Sequence, residues 1–266
     1  MFLQQLQEKI TKQVQTDPDN SFTGQWLFYD PPLVGAAFAA DSLFLKMKEE
    51  KIAGEQFMLP EEWLPGAVSV ISYFLPFTRE VRTSNHTQGK ASMEWLHSRF
   101  QGETFNDKIR KLIIKEIESF GEKAVAPMLD ERKVIDFNEL ASNWSERHAA
   151  YVAGLGTFSL NRGMITVRGM AGRFGSVITT LKVEPTPKDY STPFEYCPEL
   201  MEGSCGMCID RCPSGAITSE GKDKQVCFQH LFIQDPLKEE REPYGYPYSA
   251  CGKCQTNVPC EYQVPK

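Results

Sequence analysis

Apolar residues recur four apart at the N-terminus. Phe2, Leu6, Ile10 and Val14 fall on one face of FLQQLQEKITKQVQT, which predicts an amphipathic helix. DSLFLKMKEEKI reads as a second helix, with Asp41 as its N-cap. AVSVISYFL (67–75) is different in kind. It is a run of β-branched and aromatic residues without alternation, which predicts a strand buried on both faces and ended by Pro76. NDKIRKLIIKEIESFGEKA returns to the helical period, with Asn106 placed to cap it and Gly121 to end it. SERHAAYVAGLG predicts a helix opened by Ser145 and stopped at Gly154 or Gly156, and GMITV and GSVITTLKV are short strand candidates. Helices and strands intermixed in this way predict an α+β domain over residues 1–185. KVEPTPKDYSTPFEY carries three prolines and no periodicity, so it reads as a linker into a second unit, residues 186–266. No solenoid-type repeat is visible.

Composition narrows the class. The 266 residues carry a net charge of −6, which gives no basic footprint for nucleic acid. No apolar run reaches the length of a membrane-spanning helix, and the N-terminus lacks the charged and apolar regions of a secretory signal. A cytoplasmic protein without a membrane partner is expected.

The eight cysteines change the picture most. None precedes Cys197, so all lie in the second unit. Clustering at ligand spacings without an export signal points to metal rather than disulfides. CGMCIDRCP (205–213) has the C-x2-C-x3-C-P spacing of a ferredoxin run but lacks its first thiol, because Glu202 stands there. Cys197 is the upstream thiol that replaces it. Cys227 and CGKCQTNVPC supply four more thiols. In two-cluster ferredoxins the last Cys of each run crosses to the other cluster. By that rule Cys197, Cys205, Cys208 and Cys260 hold one [4Fe–4S] cluster, and Cys212, Cys227, Cys251 and Cys254 hold the other. The segment SGAIT is expected to continue as a short helical turn. Two structural zinc sites are the alternative; the C-P ending and x3 spacing favour iron–sulfur. Two adjacent clusters form a short wire, and a wire needs an acceptor.

The segment SERHAAYVAGLGTFSLNRGMITVRGMAGRFGSVITTLKV, taken with the order of parts, resembles the epoxyqueuosine reductase family and, more distantly, the reductive dehalogenases. The likeness rests on Glu146-Arg147, the Ala-Gly-Leu-Gly run at 153–156 and the start of a strand at Gly175-Ser176. It implies a nitroreductase-like cobalamin-binding domain followed by a bacterial two-cluster ferredoxin-like domain. It also implies that a cluster passes single electrons to cobalamin. The cofactor-binding residues it suggests are Asn143, Arg147, Gly154, Leu155, Gly156, Thr157, Asn161, Arg168, Gly175 and Ser176. Flavin is the alternative cofactor. Members of that family carry an Asp proton donor shortly before the Glu-Arg pair; here Asn143 and Trp144 stand there, and Asn is no general acid. Larger members continue past the clusters into helical repeats that help grip tRNA, whereas this sequence stops at Lys266. A substrate other than tRNA epoxyqueuosine is therefore expected. The partners implied are an external electron donor of ferredoxin or flavodoxin type and, if the chain has no substrate of its own, a corrinoid protein that it reduces.

His148, beside Arg147, is the catalytic candidate, as a proton donor or an axial ligand; a structural hydrogen bond is its plainer role. Arg162, Arg168 and Arg173 either bind a cofactor phosphate or form a solvated face. Tyr29 and Asp30, in YDPPLVGAAF, either face the cofactor or organise a turn, and Asp-Pro favours the turn. His86, His97 and His230 are assigned no chemistry.

Overall fold

The computed structural model describes residues 2–266. Helix α1 (Phe2–Thr16) buries Leu6, Ile10 and Val14, as its period predicts. Strand β1 (Leu33–Phe38), helix α2 (Ser42–Lys46), strand β2 (Ser69–Pro76), helix α3 (Met93–Glu118) and strand β3 (Ala124–Val125) follow. Then come helix α4 (Glu146–Val152), the hairpin of β4 (Gly156–Phe158) and β5 (Met164–Thr166), and strand β6 (Gly172–Thr179). The main sheet runs β1-β2-β6-β3, antiparallel throughout.

All eight residues of β2 are buried, because the sheet is covered on both faces. Ile71, Tyr73 and Leu75 point into one core with Leu6, Ile10, Ile109 and Ile113 from α1 and α3. Val70 points the other way, into a core with Trp63, Trp144, Ala149 and Val152. The period-2 geometry of a strand makes this split.

The expected start of α3 was wrong. Ser92, not Asn106, caps it: the Ser92 Oγ accepts from Trp95 N at 3.1 Å. Asn106 is buried in mid-helix, where its side chain accepts from Tyr73 Oη at 2.6 Å and donates to the Phe174 carbonyl at 3.1 Å. Gly121 does follow the helix end, at φ 79°. Helix α2 has the expected cap, Asp41 accepting from Leu43 N at 2.9 Å, but is shorter than its period suggests. Beyond Met47 the residues Lys48–Lys51 offer no apolar face to bury.

Beyond residue 185 the elements are short. Helix α5 (Pro198–Glu202), helix α6 (Met207–Asp210), the hairpin of β7 (Ile217–Thr218) and β8 (Gly221–Lys222), and helix α7 (Lys224–Phe228) frame the cysteines. SGAIT makes a turn and then β7, not a helical turn, because Ile217 is drawn into an apolar cluster with Leu160, Ile165 and Met170. The proline-rich stretch lies along the edge of the main sheet, with Thr186 N donating to Ala36 O at 2.9 Å and Thr186 Oγ1 accepting from Ala36 N at 3.0 Å.

Buried polar groups join the two parts. Arg211 donates to the carbonyls of Asn85 (3.1 Å), His86 (3.1 Å) and Thr256 (3.1 Å). Lys253 Nζ donates to Thr87 O at 2.7 Å and Asn85 O at 3.1 Å. The buried Glu261 carboxylate takes Arg82 at 2.6 Å and His86 at 2.8 Å. The helix end and turn at 82–87 are thus gripped by the cysteine-bearing segment. Among the described residues no helix is long and apolar enough to cross a membrane.

Candidate metal and cofactor site

Each cysteine is held by a short element or turn. Cys197 is the N-cap residue of α5, and Cys208 lies within α6. Cys205 N donates to Glu199 Oε2 at 3.0 Å, and Cys212 N donates back to Ile209 O at 3.0 Å. Among the described residues no three His, Cys, Asp or Glu side chains converge at single-ion spacing.

The thiols nevertheless act on one another in two sets. Burial pushes the Cys260 thiol up, and the charges of Cys208, Cys197 and Cys205 push it further. Burial and the charges of Cys254, Cys227 and Cys212 likewise push Cys251 up to about 12. Cys208 feels Cys254 as well as its own set, so the sets approach each other there. Cys212, Cys227, Cys251 and Cys254 together line a cavity of about 290 Å³. As a donor set, eight thiols in two groups of four suit two thiolate-ligated clusters.

A recess adjoins the second set. Arg147 is exposed, and it lies close enough to Cys254 to feel its charge. Glu103, Glu146, His148, Lys222 and Cys254 are half-buried. Lys222 and Cys254 line the 290 Å³ cavity, with Arg173 beside them. The Arg147 charge is felt by Lys222, His148 and Lys224, and Arg147 itself responds to Arg162, Arg173 and Cys254. The cavity is therefore cationic where it meets Cys254.

Carboxylates balance its other side. Burial alone would raise the Glu103 carboxyl, but Arg173 and Arg110 override it and hold it at about 2. Arg110 is buried and reaches Glu103 at 2.8 Å, Asp107 at 2.5 Å and Glu146 at 3.5 Å. Burial raises the Glu146 carboxyl despite Arg110 and a hydrogen bond donated by Ser176. Burial, with Arg147 and Lys224 nearby, lowers His148 to about 4, so its ring is neutral at pH 7; Nδ1 lies 2.8 Å from Ser145 Oγ.

Gly154 and Gly156 serve the local turn. Gly154 sits at φ 80°, where other residues are strained, and a Cβ on Gly156 would lie 1.9 Å from Ile165 O. Leu155 packs with Ala150 and Met164. Several expected cofactor contacts have partners within the protein. The Asn143 amide donates to Arg132 O at 2.8 Å and accepts from Val134 N at 2.9 Å. Thr157 Oγ1 accepts from Tyr196 N at 2.9 Å, and Ser176 Oγ accepts from Trp144 Nε1 at 3.0 Å. Gly175 packs against the Tyr73 ring. Asn161 Nδ2 donates to Cys254 O at 2.6 Å, tying the β4–β5 turn to the second thiol set. Arg147 donates to Arg162 O. Arg168 stands apart, donating to Pro31 O and pairing with Asp30 at 3.7 Å. Tyr29 is buried against Phe77 and Phe105, so it and Asp30 diverge.

The epoxyqueuosine reductase of Bacillus cereus is 27% identical over 245 residues, covering 84% of this chain and 59% of the relative. The structure of epoxyqueuosine reductase from Streptococcus thermophilus superposes with a TM-score of 0.53 at 18% identity, covering 98% of this chain and 66% of that one. This chain is similar to epoxyqueuosine reductases. A reductive dehalogenase, whose structure is described in terms of B12-dependent dehalogenation, superposes with a TM-score of 0.55 at 15% identity over 88% of this chain and 30% of its own. No family model matches. The chain spans about three-fifths of the length of the B. cereus relative. The α+β fold is the one these solved structures share.

The recess makes a simple fit test. A corrinoid or a flavin nucleotide carries phosphate, and Arg147, Lys222 and Lys224 offer cations to it near Cys254. The residues present suit such a group by charge. Lys222, Lys224, Glu103 and Arg110 had no sequence signal of their own, since only folding sets them beside Arg147.

Proposed function

We propose that the chain is an iron–sulfur oxidoreductase. Cys197, Cys205, Cys208 and Cys260 would hold one [4Fe–4S] cluster, and Cys212, Cys227, Cys251 and Cys254 the other. The second cluster would supply single electrons to cobalamin in the recess, for a reductive reaction on a substrate other than tRNA epoxyqueuosine. Cobalt held at low valence supplies the reducing chemistry when the cofactor is bound. The chain's residues bury the cofactor, offer cations to its phosphate and bring electrons from a ferredoxin- or flavodoxin-type donor. The observation that carries this reading is the cavity walled by all four thiols of the second set together with Arg173 and Lys222, with Arg147 close to Cys254. The division at residue 185 follows the same logic, one unit holding the acceptor and the other the wire.

Anaerobic purification followed by metal analysis tests it. About eight irons per chain and two cluster signals in electron paramagnetic resonance are expected. Zinc in place of iron overturns the reading. Added cobalamin is expected to bind one to one with a shifted absorption spectrum. Clusters without cobalamin binding would instead support an electron-transfer protein that reduces a partner's corrinoid.

A further inference from the structure

The cavity lined by Cys212, Cys227, Cys251 and Cys254 has a one-sided charge. It is also lined by Arg99, Arg173 and Lys222, and by no Asp or Glu. One of those cations is ion-paired and another is hydrogen-bonded. Arg173 pairs with Glu103 at 2.9 Å, and Arg99 donates to Tyr248 Oη at 2.5 Å. Lys222 forms no ion pair among the described residues. It is held on β8 opposite Ile217, whose side chain is buried in the apolar cluster beneath the cysteines. Its position therefore comes from strand register, and its charge has only the thiolates to answer it.

We infer that Lys222 is a positioning residue for electron flow: its ammonium raises the reduction potential of the second cluster above that of the first. This rests on the two-cluster reading above. Reduction adds one electron, and no proton, to a cage that four thiolates already make anionic. A cation in the same enclosed cavity stabilises the more negative state. The electron comes from the one-electron donor of ferredoxin or flavodoxin class, which is oxidised by one electron. None of Cys197, Cys205, Cys208 and Cys260 lines that cavity, which Lys222 shares with all four thiols of the second set. A higher potential at the second cluster draws the electron from the first cluster towards the recess.

A redox titration of the anaerobic, iron-loaded protein, followed by electron paramagnetic resonance, tests this. The wild type is expected to show two midpoint potentials, the higher belonging to the cluster that Cys212→Ala removes. Lys222→Gln is expected to lower that potential alone, by a tenfold change in the ratio of reduced to oxidised cluster, about 59 mV for a one-electron couple. Lys222→Arg is expected to restore it. Equal wild-type potentials, or a higher potential on the first cluster, overturn the inference without reference to any Lys222 variant. So does an eight-iron Lys222→Gln protein with both potentials unmoved. A wild type that assembles no clusters fails at the earlier step and overturns both readings.

Discussion

Strand β2 and the cysteine segment are stabilised by different physics. Every residue of β2 is buried between two apolar cores, and it pairs with β1 on one side and β6 on the other. The segment after residue 196 is built from short elements; Leu237, Tyr246 and Ala250 reach the main core, and its other apolar cluster is small. Four of its buried polar side chains, Arg211, Lys253, Thr256 and Glu261, bond to the helix end and turn at 82–87. Apolar burial dominates the first region. The second adds buried polar bonds to its share of the core, and on the two-cluster reading its metal ligation is expected to supply part of the rest.

Removing one group from each side is the strongest way to break that comparison. Cys212→Ala should abolish the second cluster, leaving about four irons per chain. Limited proteolysis should then open the segment after residue 196 while circular dichroism still reports the sheet. Loss of the first cluster's signal instead would refute the crossed ligand assignment. Ile71→Ala, in the centre of β2, should cost about 2–5 kcal/mol by urea unfolding with iron content unchanged. If Ile71→Ala released iron as readily as Cys212→Ala, the two regions would form one cooperative unit.

The comparison also explains what the sequence reveals. β2 was legible because double-sided burial writes an unbroken apolar run, and the thiols because spacing alone marks them. The helix cap was not legible. The core-face positions 98 and 102 of α3 hold Ser98 and Gly102, buried but without an apolar side chain, which hides its first half, so Asn106 reads as a start. The recess was least legible of all. Arg147, Arg173 and Lys222 come from α4, β6 and β8, and no local pattern links them. The segment around Ala-Gly-Leu-Gly located one wall of it through likeness to a family, yet most of the polar side chains singled out there are engaged in internal bonds.

His148 gives a smaller effect, on the wall of the recess. Its folded value of about 4 lies below the ordinary 6.5, so the unfolded chain binds more protons between those values. Stability should therefore be fully present above pH 6.5 and fall as the pH drops towards 4. The slope from one such proton is at most about 1.4 kcal/mol per pH unit, and water in the recess reduces it. Urea midpoints measured from pH 7 to pH 5 should show a shallower fall in His148→Gln than in the wild type. Parallel curves would mean that His148 is as well hydrated in the folded protein as in the unfolded one.

The finest test sets the two candidate caps of α3 against each other. Ser92 Oγ accepts one backbone N–H at the helix start, so Ser92→Ala should cost about 1 kcal/mol. Asn106 does something else. It joins the Tyr73 hydroxyl on β2 to the Phe174 carbonyl on β6, all in buried surroundings. Asn106→Ala strands those groups without water, which should cost about 1–3 kcal/mol. Tyr73→Phe removes the hydroxyl that Asn106 answers, so adding it to Asn106→Ala should cost less than the sum of the single changes. Strict additivity would mean that the pair is not coupled through the sheet, and that Asn106 is held by its helix alone.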